Sequence, residues 1–203
     1  MKTKAYLLVF DGLADWEPAL ALCEINKKKH LEVVTVGFSR DIIVTMGGLK
    51  IAPDQTIKDV NIDEACIFIA PGGDMWEQET NDEITVLLQH LHAAQAPIAA
   101  ICGATLAIAR AGLLKDTLHT SNSLEYLKTM AAGYECEEYY VDKLAVTDKN
   151  IITASGVGSV EFAYEIIKRL KLYDEQDAEL WFKLFKHGVW DQAAEAQSNT
   201  GAN

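Results

Sequence analysis

Three stretches of the chain, "AYLLVF" at 5–10, "ACIFIA" at 65–70 and "PIAAIC" at 97–102, are apolar almost without interruption. A strand with one wet face alternates polar and apolar side chains, whereas one covered on both faces does not. Helical patterns lie between and beyond these runs. Residues 16–29 read as a helix with Trp16, Leu20, Cys23 and Ile25 inward, Asp15 as its N-cap and Pro18 in its first turn. A second helix is expected over about 81–94, and a third over 159–170 with Val160, Phe162, Ala163, Ile166, Ile167 and Leu170 on one face. Such alternation predicts an α/β fold, a mostly parallel sheet with helices on both faces.

The remaining segments fill in that plan. Residues 31–37 read as a strand, and 42–51 as a hairpin around Gly47-Gly48. After a helix "GATLAIARAG" come a short strand in "TLHTSN" (117–122), a helical stretch at 123–132 and paired strands within 139–155 turning at 148–150. An additional C-terminal helix at 174–188 groups Leu180, Trp181, Leu184 and Phe185, and the end of the chain, 191–203, is a polar tail expected to fray. With no internal repeat or linker, residues 1–190 form one domain.

Charge narrows the partners. Thirty acidic against 18 basic residues leave a net charge of −12, so neither nucleic acid nor an anionic membrane is an expected partner. The N-terminal apolar run of six residues is too short for a signal-peptide core or a bilayer span, so a cytoplasmic location is expected. The four cysteines show no CxxC spacing and no adjacent histidine, which points to neither zinc, nor another metal, nor a disulfide framework; no cofactor is expected. Cys23 and Cys66 read as core residues and Cys136 as a surface one.

In open α/β sheets ligands meet the carboxyl ends of the strands. Three segments of this chain converge there: "FDGLADWE" (10–17), "APGGDMW" (70–76) and "ICGAT" (101–105). Cys102, caught between a strand end and a helix start, sits where a sharp turn projects a side chain outward. A helix beginning at Gly103 would aim its N–H groups at the sulfur and lower the thiol below the usual value of about 8.5. The N–H groups of Gly103 and of Gly72-Gly73 could then form an oxyanion hole. The competing reading is a small buried cysteine filling a gap.

Glu17 has two readings as well: an acid complementing the helix dipole, or a partly buried carboxyl held protonated and donating to the sulfur. Asp74 and Trp76 either wall the crevice or cap and pack the next helix. "SGVGS" (155–159) reads as a tight structural turn without phosphate-binding spacing.

The segments "FDGLADWE", "APGG", "AAICGATLAIARAGLLKD", "TLHTSN" and "IITASGVGSVEFAYEIIKRL" together resemble the ThiJ/PfpI family, a branch of the class I glutamine amidotransferase-like superfamily. The resemblance runs from about residue 3 to 171 and implies a flavodoxin-like fold; the helix at 174–188 lies beyond it. It also implies that Cys102 is a reactive thiol contacted by Glu17, that Gly73 and Gly103 supply the oxyanion-type amides, and that the protein self-associates as a homodimer.

One departure matters. Protease-like members carry a histidine directly after the cysteine, where this chain has Gly103, and other members carry one in the strand after the elbow helix. Aligning "TLHTSN" puts Asn122 at that second position, with His119 three residues earlier on the opposite side of a strand. A one-residue bulge would bring His119 in; otherwise it is a strand-end histidine. Without a histidine there is no evident general base, so a Cys–His peptidase is not expected.

The resemblance therefore implies a cysteine-dependent hydrolase or lyase, amidase-, glyoxalase- or hydratase-like, acting on a small electrophilic or amide substrate. The alternatives are a redox-responsive stress protein whose Cys102 meets an oxidant and becomes sulfenic or sulfinic acid, and a family member without chemistry.

Overall fold

The structure is a computed structural model and describes residues 3–78 and 82–190. Its elements run β1 (Lys4–Leu8), α1 (Trp16–Asn26), β2 (Glu32–Gly37), β3 (Ile43–Val44), β4 (Lys50–Ile51), β5 (Gln55–Thr56), β6 (Ala65–Ala70), α2 (Met75–Gln78) and α3 (Asp82–Ala93). They continue with β7 (Ile98–Ile101), α4 (Thr105–Arg110), α5 (Leu124–Met130), β8 (Ala145–Asp148), β9 (Ile151–Ala154), α6 (Ser159–Leu170) and α7 (Glu175–His187). Residue 81, where the predicted second helix begins, and the 191–203 tail lie outside the described residues.

The uninterrupted apolar runs become the middle of a seven-stranded sheet ordered β5-β2-β1-β6-β7-β9-β8. Every pairing in it is parallel except β8 with β9. Helices cover both faces: α1, α6 and α7 pack together on one side, while α3 and α4 meet each other and β7. β6, β7 and β9 are buried at every position, which is why they lack alternation. On α6, Phe162, Ile166 and Ile167 are buried as the helical spacing requires, each contributing about 1.5–3 kcal/mol. The small β3–β4 hairpin stands apart from the main sheet. No helix among the described residues is long and apolar enough to cross a membrane.

Three local expectations are corrected. On α1 the inward residues are Glu17, Pro18, Ala21, Glu24 and Ile25, whereas Trp16 and Cys23 face solvent. Two acids displace the apolar stripe because each finds buried donors. Asp15 does not cap α1; its Oδ2 instead accepts the Gly47 N–H at 2.6 Å and ties the hairpin to the helix start. "TLHTSN" also forms no strand. Only His119 makes a bridge, to Tyr140, while the N–H groups of Leu118 and Thr120 on either side go to the side chains of Asp148 and Thr153.

Candidate active site

The site is built at the carboxyl edge of β6, β7 and β9. β7 ends at Ile101 in extended backbone, and Cys102 then turns into the left-handed region at φ +58°. A non-glycine residue there is strained by about 1–2 kcal/mol and persists only where its surroundings impose it. Thr105 imposes it here: its Oγ1 lies 2.6 Å from the Cys102 carbonyl and 2.6 Å from Ser121 Oγ. A 3-10 turn over Cys102–Ala104 leads into α4.

Two glycines make room for the sulfur. A Cβ on Gly156 would stand 2.8 Å from Cys102 Sγ and 3.3 Å from Glu17 Oε1, and one on Gly72 would stand 2.7 Å from both Cys102 Cβ and Glu17 Oε2. The thiol and the carboxyl group thus share one glycine-walled slot. Glu17 is fully buried. Its Oε2 accepts the Gly72 N–H at 2.5 Å, while Oε1, beside the sulfur, has no hydrogen-bond partner.

Burial pushes the Glu17 carboxyl up, against the Gly72 N–H and the adjacent Cys102 thiol, which favour its ionised form. Burial also pushes the Cys102 thiol up and the Glu17 charge adds to the rise, outweighing the amide of Asn122 and the N–H of Gly103. The expected depression of the thiol is thereby corrected. The helix next to it spans only Thr105–Arg110, too short to offset loss of solvent and a neighbouring acid.

Asn122, not His119, reaches the sulfur. Its Nδ2 lies 3.4 Å from Cys102 Sγ, and its Oδ1 accepts the Gly156 N–H at 2.9 Å, which fixes the way the amide points. His119 is fully buried elsewhere, with Nδ1 2.7 Å from the Thr117 carbonyl and Nε2 2.6 Å from Tyr134 Oη. Burial lowers its pKa, against the Thr117 carbonyl, and so favours the neutral imidazole.

Trp76 is buried, donates from Nε1 to the Pro71 carbonyl at 2.8 Å, and meets the Phe10 ring edge-on. It also closes over Gly103, where a Cβ would stand 3.0 Å from its ring and 3.1 Å from the Gly73 carbonyl. It is wall and packing at once. Asp74 opens instead into a separate crevice of about 710 Å³ together with Phe10, Asp11, Asp41 and Met46. Of the other cysteines, Cys66 is buried in β6 and Cys136 is half-buried against the core. Among the described residues no group of His, Cys, Asp and Glu is placed to hold a metal ion.

Sequence reasoning missed Gly156, because "SGVGS" shows its closeness to Cys102 only once β9 is known to lie beside β7. It also missed Tyr126 and Glu77, joined by a 3.0 Å hydrogen bond between α5 and α2.

A parallel sheet sandwiched by helices, with a cysteine on a left-handed turn at its carboxyl edge, defines the flavodoxin-like class of ThiJ-type proteins. The chain belongs to the DJ-1/PfpI family, whose match spans residues 3–169. It is 36% identical over 190 residues to "Uncharacterized protease YoaZ" of Bacillus subtilis, covering 90% of each chain. It is 26% identical over 147 residues to "Deglycase PfpI" of Pyrococcus furiosus, covering 71% of this chain and 86% of that one. The crystal structure of a ThiJ/PfpI family protein from Bacillus anthracis superimposes with a TM-score of 0.87 at 36% identity, over 93% of this chain and 92% of the other.

Proposed function

We propose that the protein is a cysteine-dependent hydrolase or lyase in which Cys102 adds to the carbonyl carbon of a small electrophilic substrate, with Glu17 handling the proton. What supports this most is one observation: the unpartnered Oε1 of buried Glu17 shares a glycine-walled slot with the sulfur. Glu17 raises the proton affinity of the thiol, while the thiol favours the ionised carboxyl, so the two groups titrate as a pair and not independently.

The pair supplies what the absent histidine would. The thiol proton passes to Glu17 Oε1, the sulfur electron pair forms the S–C bond, and the carbonyl π pair moves onto oxygen. N–H groups at Gly73 and Gly103 are the candidates to hold that oxygen, which then takes the proton back from Glu17. Asn122 Nδ2 steadies the thiolate in the interval. This chemistry suits an activated carbonyl better than a peptide bond, whose amine leaving group needs a dedicated acid.

Methylglyoxal turnover tests the reading. Cys102→Ser is expected to lower it by about 100-fold or more, and retained turnover in that variant overturns it. Absence of turnover in the unmodified protein, with stoichiometric peroxide adding oxygen at Cys102 alone, would establish the redox role in its place.

A further inference from the structure

We propose that Glu77 and Tyr126 select what reaches Cys102, admitting small uncharged electrophiles and disfavouring anionic ones. This rests on the reading of Cys102 as the reacting thiol and specifies the substrates of that site.

The two residues are carried to the mouth by its own walls. Glu77 follows Trp76, the side chain that closes over Gly103. Tyr126 lies four residues beyond Asn122, on a helix whose start is capped by Ser123 Oγ accepting the Tyr126 N–H at 3.0 Å. The Tyr126 hydroxyl donates to Glu77 Oε1 at 3.0 Å and so links α5 to α2. Arg110 fixes the same two helices from another side, with Nη1 2.7 Å from the Trp76 carbonyl and Nη2 2.9 Å from the Met130 carbonyl. The Tyr126 phenol is also close enough to the sulfur for a charge on Cys102 to help raise it, after burial and Glu77.

Chemical consequences follow from these positions. An incoming anion is repelled by the exposed Glu77 carboxylate and by the buried Glu17, while the Arg110 guanidinium, occupied by the Trp76 and Met130 carbonyls, opposes only part of that repulsion. A neutral carbonyl compound or amide meets no such repulsion. The half-buried Tyr126 ring, held by its bond to Glu77, narrows the approach, so width as well as charge is restricted.

Iodoacetamide and iodoacetate have nearly the same size and differ by one charge, so the ratio of their rates at Cys102 isolates the charge effect. Thiolate fraction cancels in that ratio. The rates are read by peptide mass on the full-length protein at low salt, for the unmodified chain, Glu77→Gln and Tyr126→Phe. Glu77→Gln keeps an acceptor for Tyr126 and is exposed, so its folding is not at issue. It is expected to raise the iodoacetate rate relative to iodoacetamide by about three- to tenfold. Tyr126→Phe is expected to speed a bulky maleimide relative to N-ethylmaleimide.

The proposal is overturned if the Glu77→Gln ratio stays within about twofold of the unmodified protein. Methylglyoxal turnover that is lost in Cys102→Ser, together with an unchanged ratio, removes the selection and leaves the reacting thiol standing. Turnover retained in Cys102→Ser, with the ratio shifted as expected, removes the catalytic reading and leaves the selection.

Discussion

Glu17 is a base only because it is also a burden on Cys102. Its charge and the burial of the slot both hold the thiol above its usual value, and only a proton transfer between the two relieves the conflict. Glu17→Gln separates these roles. Removing the negative neighbour is expected to move the midpoint of the Cys102 alkylation rate to lower pH. Turnover falls nonetheless by about 100-fold, because an amide can neither take nor return the proton. More thiolate with less catalysis is the signature to look for, and a midpoint that stays put or rises would contradict the shared slot. At this scale the chain was legible in part. A cysteine at a strand end and an acid at a helix start announce themselves by position. The sense of the thiol's shift does not, because it depends on how far the slot excludes water. Nor does the choice of Asn122 over His119 as the sulfur's neighbour follow from strand periodicity, since no strand forms there.

Helix α7 is tied to α1 through one buried acid, Glu24. Glu24 of α1 is 2% exposed and accepts from Tyr173 Oη at 2.5 Å, Trp181 Nε1 at 2.9 Å and Lys27 Nζ at 2.9 Å. Burial alone would raise this carboxyl, yet Tyr173, Lys27 and Trp181 together hold it below its ordinary range. A folded pKa below the unfolded one, about 4.3, contributes stability that is present above that value and disappears as pH falls through the folded pKa. Glu24→Ala strands the buried Trp181 N–H and the half-buried Tyr173 hydroxyl and is expected to cost about 2–4 kcal/mol in urea unfolding near pH 7. The variant should also lose less stability than the unmodified chain on going from about pH 5 to pH 3. Equal losses would show that Glu24 is not held ionised. Hydrophobic spacing placed α7 and α6 correctly, because Trp181 and Phe162 obey the helical repeat. It misplaced the inner face of α1, since Glu24 meets partners 149 and 157 residues away and Cys23 is turned outward as a result.

For the whole molecule, uninterrupted apolar runs revealed a sheet covered on both faces, but strand order had to come from the packing of the helices above and below it. Charge is a property that only this scale expresses. Thirty acids against 18 bases leave the chain a net charge of −12, and the mutual repulsion of these charges opposes the compact state. The exposed ion pairs do little against it: Arg40 with Asp59 and Lys58 with Glu83 join exposed partners, and such pairs are worth about 0–1 kcal/mol each. Raising ionic strength from about 0.01 M to 0.1 M shortens the screening length from about 30 Å to about 10 Å. That range removes most long-distance repulsion and only part of each short-range attraction. The unfolding temperature is therefore expected to rise with salt, by about 2–4 °C for each kcal/mol of repulsion relieved. A neutral osmolyte at matched concentration controls for general solvent effects. A melting temperature that fell instead would mean that paired charges, not unpaired ones, dominate the electrostatics of this fold.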